Sequence, residues 1–494
     1  MPVALRRICL LLCVAGFAVR PTLLHAQLRL SPKQADSLLA DVHEALVAYH
    51  PYAYRDGGRA RLDSFFAREL RARPRDHPET DSLSVSEVLR RVAPVNELLG
   101  DGHFQLSPKR TARYRELTKT HRYSFPVRGP YAGRYLLTDT LDLADGTRLP
   151  PGTEALRLDG RAVDSLVAAT VVLVGLDDHG NTASQLAVGA RLLPGFYQRE
   201  VGFRDSLTLT VLEPTEGAQP RRVTLYPTSP DSTAQKTRVR KRVAAERRMR
   251  ELISLEFLEG GRVAELDIRT FSGGAYKRVN QYKHVRRLFE QVDSAGVEGL
   301  IIDVRGNTGG ALDLVEHVLS FVLDSTFVTQ EVAIAYHRRG AGSTGFKRWR
   351  NRALGGVKAQ GNDVYRATRM YDSTEPAKPE RRYAGPLAVL VDESSFSGAT
   401  TLANAVQQLG RGLVVGQVPG GSAERMYAGM LFKVPVGPRK RWELNMPLYY
   451  MDMLGDARGN LRPDILVPRE AADVIAGRDA AREIAAEALL LSGD

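Results

Sequence analysis

From residue 251 onward, short apolar runs alternate with helical segments, and this alternation constrains the fold more than any other feature of the 494-residue chain. RVAELDIRTF, GLIID and PLAVLVD read as strands buried on both faces, and strands of that kind belong to parallel sheets covered by helices. Between them lie helical stretches around 276–295, from Ala311, and in TTLANAVQQLG, which Gly410 closes. The pattern predicts an α/β domain over 251–494 with parallel, buried strands, and this is the part of the chain expected to hold the chemistry.

Upstream the periodicity changes twice. LSPKQADSLLADVHEALVAY follows a Ser31 cap and a first-turn Pro32, and SLSVSEVLRRVAPVNELLGDGH carries Val85, Val88, Leu89, Val92, Val95, Leu98 and Leu99 near a 3.6 period before the breaker at 100–102; such starts and stops mark helices. A small helical domain is predicted over 28–105. Over 106–228 the apolar residues alternate in YLLTDT, EALRLDG, DSLTLTVLEP and RRVTLYP, between glycine- and proline-containing turns, which predicts a β-rich module. Within it LPPGTEALRLDGRAVDSLVA resembles the strand and following helix of a PDZ-like domain, a fold that captures extended peptides at a sheet edge. A plain β-sandwich that braces its neighbours satisfies the pattern equally. Residues 229–250 carry eight basic residues and no broad apolar face, as a solvated linker does. With no aromatic interleaving and no nucleic-acid motif, no nucleic-acid partner is expected. The basic stretch 337–358 reads either as a loop facing acidic substrates or as a solvated insertion.

Residues 1–26 place Arg6 and Arg7 before an apolar run over 8–19 and end at Ala26, the pattern of a cleaved secretory signal. The run is shorter than a bilayer span requires, so no membrane span is expected after cleavage. Both cysteines, Cys9 and Cys13, fall within it. The mature chain then has no disulfide, thiol nucleophile or thiolate metal site. A location in the periplasm, the cell envelope or outside the cell follows. The net charge of +12 drops to +9 once Arg6, Arg7 and Arg20 leave with the signal. HExxH, P-loop and dinucleotide fingerprints are missing, so neither a metal nor a cofactor is predicted.

Two strand ends carry candidate chemistry. GLIID runs into Asp303, Arg305, Asn307 and the pair Gly309 and Gly310, where backbone amides can approach an oxyanion without a Cβ in the way. A tight strand-to-helix turn without a ligand uses glycine just as well. The strand over 386–392 leads to ESSFSGA, which puts Ser397 and Gly398 at a helix start. A serine there is either a nucleophile beside amides that stabilise negative charge or a simple cap. A nucleophile needs a base. His103, at the abrupt end of a helix, is the first candidate, whereas His50, His77 and His179 read as solvent-facing. A histidine bonded to terminal helix carbonyls is the alternative.

Together GLIIDVRGNTGG, PLAVLVDESSFSGATTLANAVQQLGRGLVVGQVPGGS and RPDILVP resemble, over most of residues 262–470, the C-terminal processing (tail-specific) serine peptidases and their tricorn-core relatives. The resemblance implies a crotonase-like α/β core preceded by a PDZ-like domain, Ser397 as nucleophile and, from LLGDGHF, His103 as base. It implies a peptide or protein substrate and an oxyanion held by Gly309 or Gly310 together with Gly398. The pattern departs from the family at four points. Ser422 stands where tail-specific members have a lysine, Gly102 replaces the second serine of the tricorn-like branch, Thr400 stands where an acidic residue is usual, and the late glutamate has no clean counterpart. Asp452 and Asp456 are then candidates to orient His103, and a Ser-Lys site would have to recruit Lys433 or Lys440. A non-catalytic protein binding a peptide or an apolar ligand on the same fold is the competing reading.

Overall fold

The computed structural model describes residues 29–71, 82–109, 123, 125–177, 182–227, 247–273, 280–336, 357–361, 364–367 and 373–491. The predicted signal segment, His77, His179, most of the basic linker and nearly all of the basic stretch 337–358 lie outside the described residues.

Four helices open the described chain: α1 (Pro32–Tyr49), α2 (Gly58–Arg71), α3 (Val85–Val92) and α4 (Val95–Leu99). Ser31 and Gln34 form a capping box on α1, and Ser84 and Glu87 form one on α3, each satisfying two backbone donors that a helix start leaves orphaned. Leu38, Leu39, Val42, Phe66, Val88 and Val92 meet in one buried cluster. Gly100, at φ 59°, ends α4 in the left-handed conformation. That closure turns the chain sharply into Asp101, Gly102 and His103 before β1 (Gln105–Pro108), a reversal that favours glycine.

A six-stranded antiparallel sheet follows, built from β2 (Val127–Tyr131), β3 (Arg134–Leu137), β6 (Glu154–Leu158), β8 (Leu207–Leu212) and β9 (Arg221–Leu225), with β7 (Arg161–Ala162) paired to β6. A short ribbon, β4 (Leu141–Asp142) with β5 (Arg148–Leu149), stands beside it. Helices α5 (Val163–Val171) and α6 (Thr182–Val201) pack on the sheet around Leu166, Val167, Ala190 and Leu193. Strand β8 buries every second residue, the mark of a sheet with one covered face.

The central sheet has the order β10 (Ile253–Leu258), β11 (Val263–Ile268), β12 (Gly299–Asp303), β16 (Leu387–Val391), β17 (Leu413–Gly416) and β20 (Ile465–Leu466). All neighbours are parallel except β10 with β11. Every residue of β12 and β16 is buried. Leu300 and Ile302 face a core shared with α7 (Gln281–Ala295), α8 (Leu312–Leu319) and α9 (Gly398–Gln408). Ile301 faces the opposite way, toward Ala485, Ala486 and Leu489 of α11 (Ala480–Leu491), which follows the short α10 (Ala471–Ala476). Each such aliphatic side chain contributes about 1.5–3 kcal/mol on leaving water, so the two-faced burial accounts for the unbroken apolar runs.

One expectation for 251–494 needs correction, because not all of its strands are parallel. A third sheet, wholly antiparallel, has the order β1, β19 (Trp442–Met453), β13 (Gln330–Ala335), β15 (Val364–Ala367) and β14 (Val357–Gly361), with β18 (Arg425–Val436) on β19. Pairing of Gln105 with Asn445 and Leu106 with Leu444 ties the segment after His103 to this sheet. Val436, Trp442, Leu444 and Met446 complete the core of the N-terminal helices. Among the described residues no helix is long and apolar enough to cross a membrane.

Candidate active site

Strands β12 and β16 are hydrogen-bonded neighbours, so the turns leaving their carboxyl ends lie side by side, where α/β sheets place their ligands. Three bonds clamp the two turns together, and a fourth, from the Ser394 amide, braces Asp392 within its own turn. Ser395 donates its hydroxyl to the Val304 carbonyl at 2.8 Å, the Phe396 amide donates to the Asn307 carbonyl at 3.0 Å, and Asp392 accepts from the Gly306 and Ser394 amides at 2.8 and 2.9 Å. Ser397 is held at φ 54°, ψ −120° and caps no helix amide with its side chain. Positive φ in a residue with a Cβ is strain that the surrounding bonds must hold in place. The hydroxyl is thereby turned away from α9 and lies 3.0 Å from His103 Nε2.

The two glycines of the facing turn differ in their roles. Gly309 donates its amide to the Asn307 side-chain oxygen at 2.8 Å, so that amide is already committed, and the expectation that it could serve an oxyanion is corrected. Asn307, fully buried, also donates to the Ile268 carbonyl at 2.8 Å and so braces the turn. At Gly310 the bridge to Phe271 is made by the Gly309 carbonyl and the Ala311 amide. The Gly310 amide therefore points away from that bridge, and among the described residues neither it nor the Gly398 amide has a hydrogen-bond acceptor. A Cβ on Gly310 would come within 2.1 Å of the Phe271 carbonyl carbon, and one on Gly309 within 2.7 Å of the Gly398 nitrogen. Only glycine lets these backbones approach so closely.

His103 is held from behind by two carboxylates. Its Nδ1 lies 3.6 Å from Oδ1 of Asp101 and 3.6 Å from Oδ1 of Asp177, both fully buried at the side chain. Asp101 also accepts from the His103 amide at 2.7 Å, and Asp177 accepts from the Gly102 amide at 3.1 Å. Burial alone would lower the imidazole pKa, but the two carboxylates outweigh it and raise it to about 10. Asp101 is depressed: burial opposes its charge, and the bonds from His103 and His50 more than offset this. Asp177 is raised by burial, and Asp101 adds like-charge repulsion.

His50, expected in solvent, is completely buried. Its Nδ1 accepts from the Tyr52 amide at 3.2 Å, so the proton sits on Nε2, which donates to Asp101 Oδ2 at 3.0 Å. Nor are Asp452 and Asp456 the acids behind His103; that place belongs to Asp101 and Asp177, and Asp452 accepts instead from the Tyr450 hydroxyl at 2.5 Å. Asp101, two residues before His103 in the GDGH motif, is the acid that sequence reasoning passed over, its one local signal being that proximity. Asp177 follows α5, with no local signal to mark it. Ser422 donates to the Gly459 carbonyl at 3.0 Å and accepts from the Glu424 and Arg425 amides at 3.1 and 3.2 Å, which makes it a turn cap. Lys433 is ion-paired with Glu443, and Lys440 sits in the turn between β18 and β19.

Gly102 has its own steric reason. A Cβ there would lie 2.3 Å from the Phe396 ring, which packs at a tilt against His103 with 4.9 Å between centroids. Gly102→Ser is expected to cost about 1–3 kcal/mol in denaturant melts through overpacking, and to displace the imidazole from Ser397.

A cavity of roughly 600 Å³ opens in front of these groups, lined by Ser397, His103, Gly309, Gly310 and Gly398. Two turns, a strained serine and a histidine thus converge on one cavity over a parallel sheet. Residues 262–426 match the profile of peptidase family S41. The protein therefore carries an S41 peptidase domain and is a hydrolase, as the motifs led one to expect. Ser397, Gly309, Gly310 and Gly398 fall within the matched residues, whereas His103, Asp101 and Asp177 lie upstream of them.

Two solved structures share the overall fold. Mature CPAF matches with 16% identity over 93% of this chain and 97% of its own, at a TM-score of 0.60. Mature CPAF complexed with lactacystin matches with 16% identity over 94% and 98%, also at 0.60. The photosystem II D1 C-terminal processing protease matches at 14% identity over 90% and 98%, with a TM-score of 0.41. No sequence among curated proteins matches this chain.

Proposed function

We propose that the protein is an exported serine peptidase in which Ser397 is the nucleophile and His103 the general base. One observation carries this reading: Ser397 Oγ, held in a strained backbone conformation, lies 3.0 Å from His103 Nε2. In the proposed reaction neutral His103 takes the Ser397 proton as the hydroxyl oxygen attacks a peptide carbonyl. The oxyanion accepts from the Gly310 amide and from the Gly398 amide at the N-terminus of α9, whose dipole favours negative charge. Protonated His103 then gives its proton to the departing amine, and water repeats the sequence on the acyl-enzyme. Asp101, braced by His50, orients the imidazole.

The proposal extends to organisation: a signal at 1–26, a helical domain at 28–105, a PDZ-like module at 106–228, a linker at 229–250 and a crotonase-like core at 251–494. The sheet order, the single antiparallel edge strand and the helices on both faces support the last of these. Incubation of mature protein with a fluorophosphonate tests the reading. Modification is expected on the peptide containing Ser397, with lactacystin, the compound held by the CPAF relative, slowing it by competition. Folded protein that takes up no label would overturn the assignment in favour of a non-catalytic binding protein.

A further inference from the structure

The matched peptidase domain ends at Met426, but the cavity does not. Its near wall carries Ser397 and the glycine turn, and its far wall is the β18–β19 hairpin, nearly all of it beyond the match. That wall presents Met426, Ala428, Leu431, Tyr449, Met451 and Met453. Five of these six are at most 5% exposed and belong to one apolar cluster, so the surface is a packed floor rather than a set of loose side chains. Leu431 differs, at 43% exposure.

The backbone explains Leu431. The register of β18 on β19 shifts between Ala428 and Leu431, and Gly429 sits at φ 79°. A bulge of this kind re-aims the strand beside it, and bulges concentrate next to active sites. Here it leaves a large aliphatic side chain at the cavity mouth, within a wall whose other members are already dry. Water against such a wall is poorly hydrogen-bonded, and an apolar group that displaces it gains free energy.

We infer that this hairpin is the specificity wall of the enzyme and seats a bulky apolar side chain of the substrate residue flanking the scissile bond. The inference rests on the peptidase reading above and adds the chemistry of the substrate. Three methionines make the wall unbranched, polarisable and able to repack around differently shaped partners. Leucine, methionine and phenylalanine should therefore be accepted with rates within about tenfold of one another. Burying such a side chain against the wall should raise kcat/KM by about 10- to 100-fold over glycine. An aspartate or lysine entering the same space would lose its hydration without a partner from the wall, and should be poorer than glycine.

The test uses the mature full-length protein and a panel of internally quenched peptides that differ only at the residues flanking one bond, with cleavage positions read by mass spectrometry. Cleavage beside leucine, methionine and phenylalanine, 10-fold or more above glycine and above the charged residues, supports the inference. Equal cleavage of all peptides, or preference for a charged residue, overturns it while leaving the serine mechanism intact. A protein that neither cleaves nor accepts the fluorophosphonate overturns the underlying reading instead. A variant sharpens the result: Met451→Lys should move the preference from leucine toward glutamate. A gain of that kind cannot come from misfolding, and an unchanged preference in the folded variant would also overturn the inference.

Discussion

Ser397→Ala is expected to abolish fluorophosphonate labelling and to lower peptide hydrolysis by about 10⁴-fold or more, with thermal stability changed little. The size of the loss follows from the covalent step: without the hydroxyl there is no acyl-enzyme, and only the oxyanion donors and substrate binding remain. Stability should hold because the Ser397 hydroxyl caps no helix amide, and alanine leaves the clamp made by Ser395, Asp392 and the Phe396 amide in place. His103→Ala should lose hydrolysis on the same scale, since in the proposed mechanism the two residues act as one unit and their losses do not add. The double variant should therefore be no slower than either single one. Side-by-side turnover of the three variants checks this, and an additive loss would show that His103 acts elsewhere.

The second large effect separates the two acids behind His103. The proposed reaction requires a neutral His103 imidazole, and the carboxylates raise its pKa to about 10. Labelling should therefore climb with pH through the alkaline range, because the base becomes available only as the proton leaves. Asp177→Asn keeps an oxygen for the Gly102 amide while removing one of the charges that stabilise the imidazolium. The rising limb should move to lower pH with a plateau within about tenfold of wild type. Asp101→Asn acts differently, because Asp101 accepts from both His50 Nε2 and the His103 amide. A carboxamide offers one oxygen and sets an N–H against another donor, a buried mismatch costing about 1–3 kcal/mol. Its plateau should fall by about 10²–10⁴-fold, as for a triad acid made neutral. Superimposable pH profiles for wild type and Asp177→Asn would assign Asp177 a purely structural part.

Much of the central sheet was legible in the chain itself. GLIID and PLAVLVD are apolar at every position because β12 and β16 are covered on both faces, and the glycines and Ser397 stand where the next residues must turn. The capping boxes at Ser31 and Ser84 likewise act over three residues. Local sequence carries these features because the forces that set them are local: backbone sterics, caps and side-chain periodicity.

What the sequence could not show involves partners far apart along the chain. His50 stands in a polar stretch, yet Asp101 and the helices around it take it out of water completely. Asp177 reaches His103 only because the link after α5 is folded against Gly102. Gly309 and Gly310 are adjacent glycines of equal promise, and only the Asn307 side chain, spending one amide, distinguishes them. The apolar hairpin that walls the cavity pairs residues through register, not local period. By itself, then, the sequence determined the strands of the central sheet and the turns at their ends, where Ser397 and the glycine pair stand. The tertiary structure alone decided which acids face the histidine, which amides stay free and what lines the cavity, because charge, desolvation and close approach depend on distance in space and not on separation along the chain.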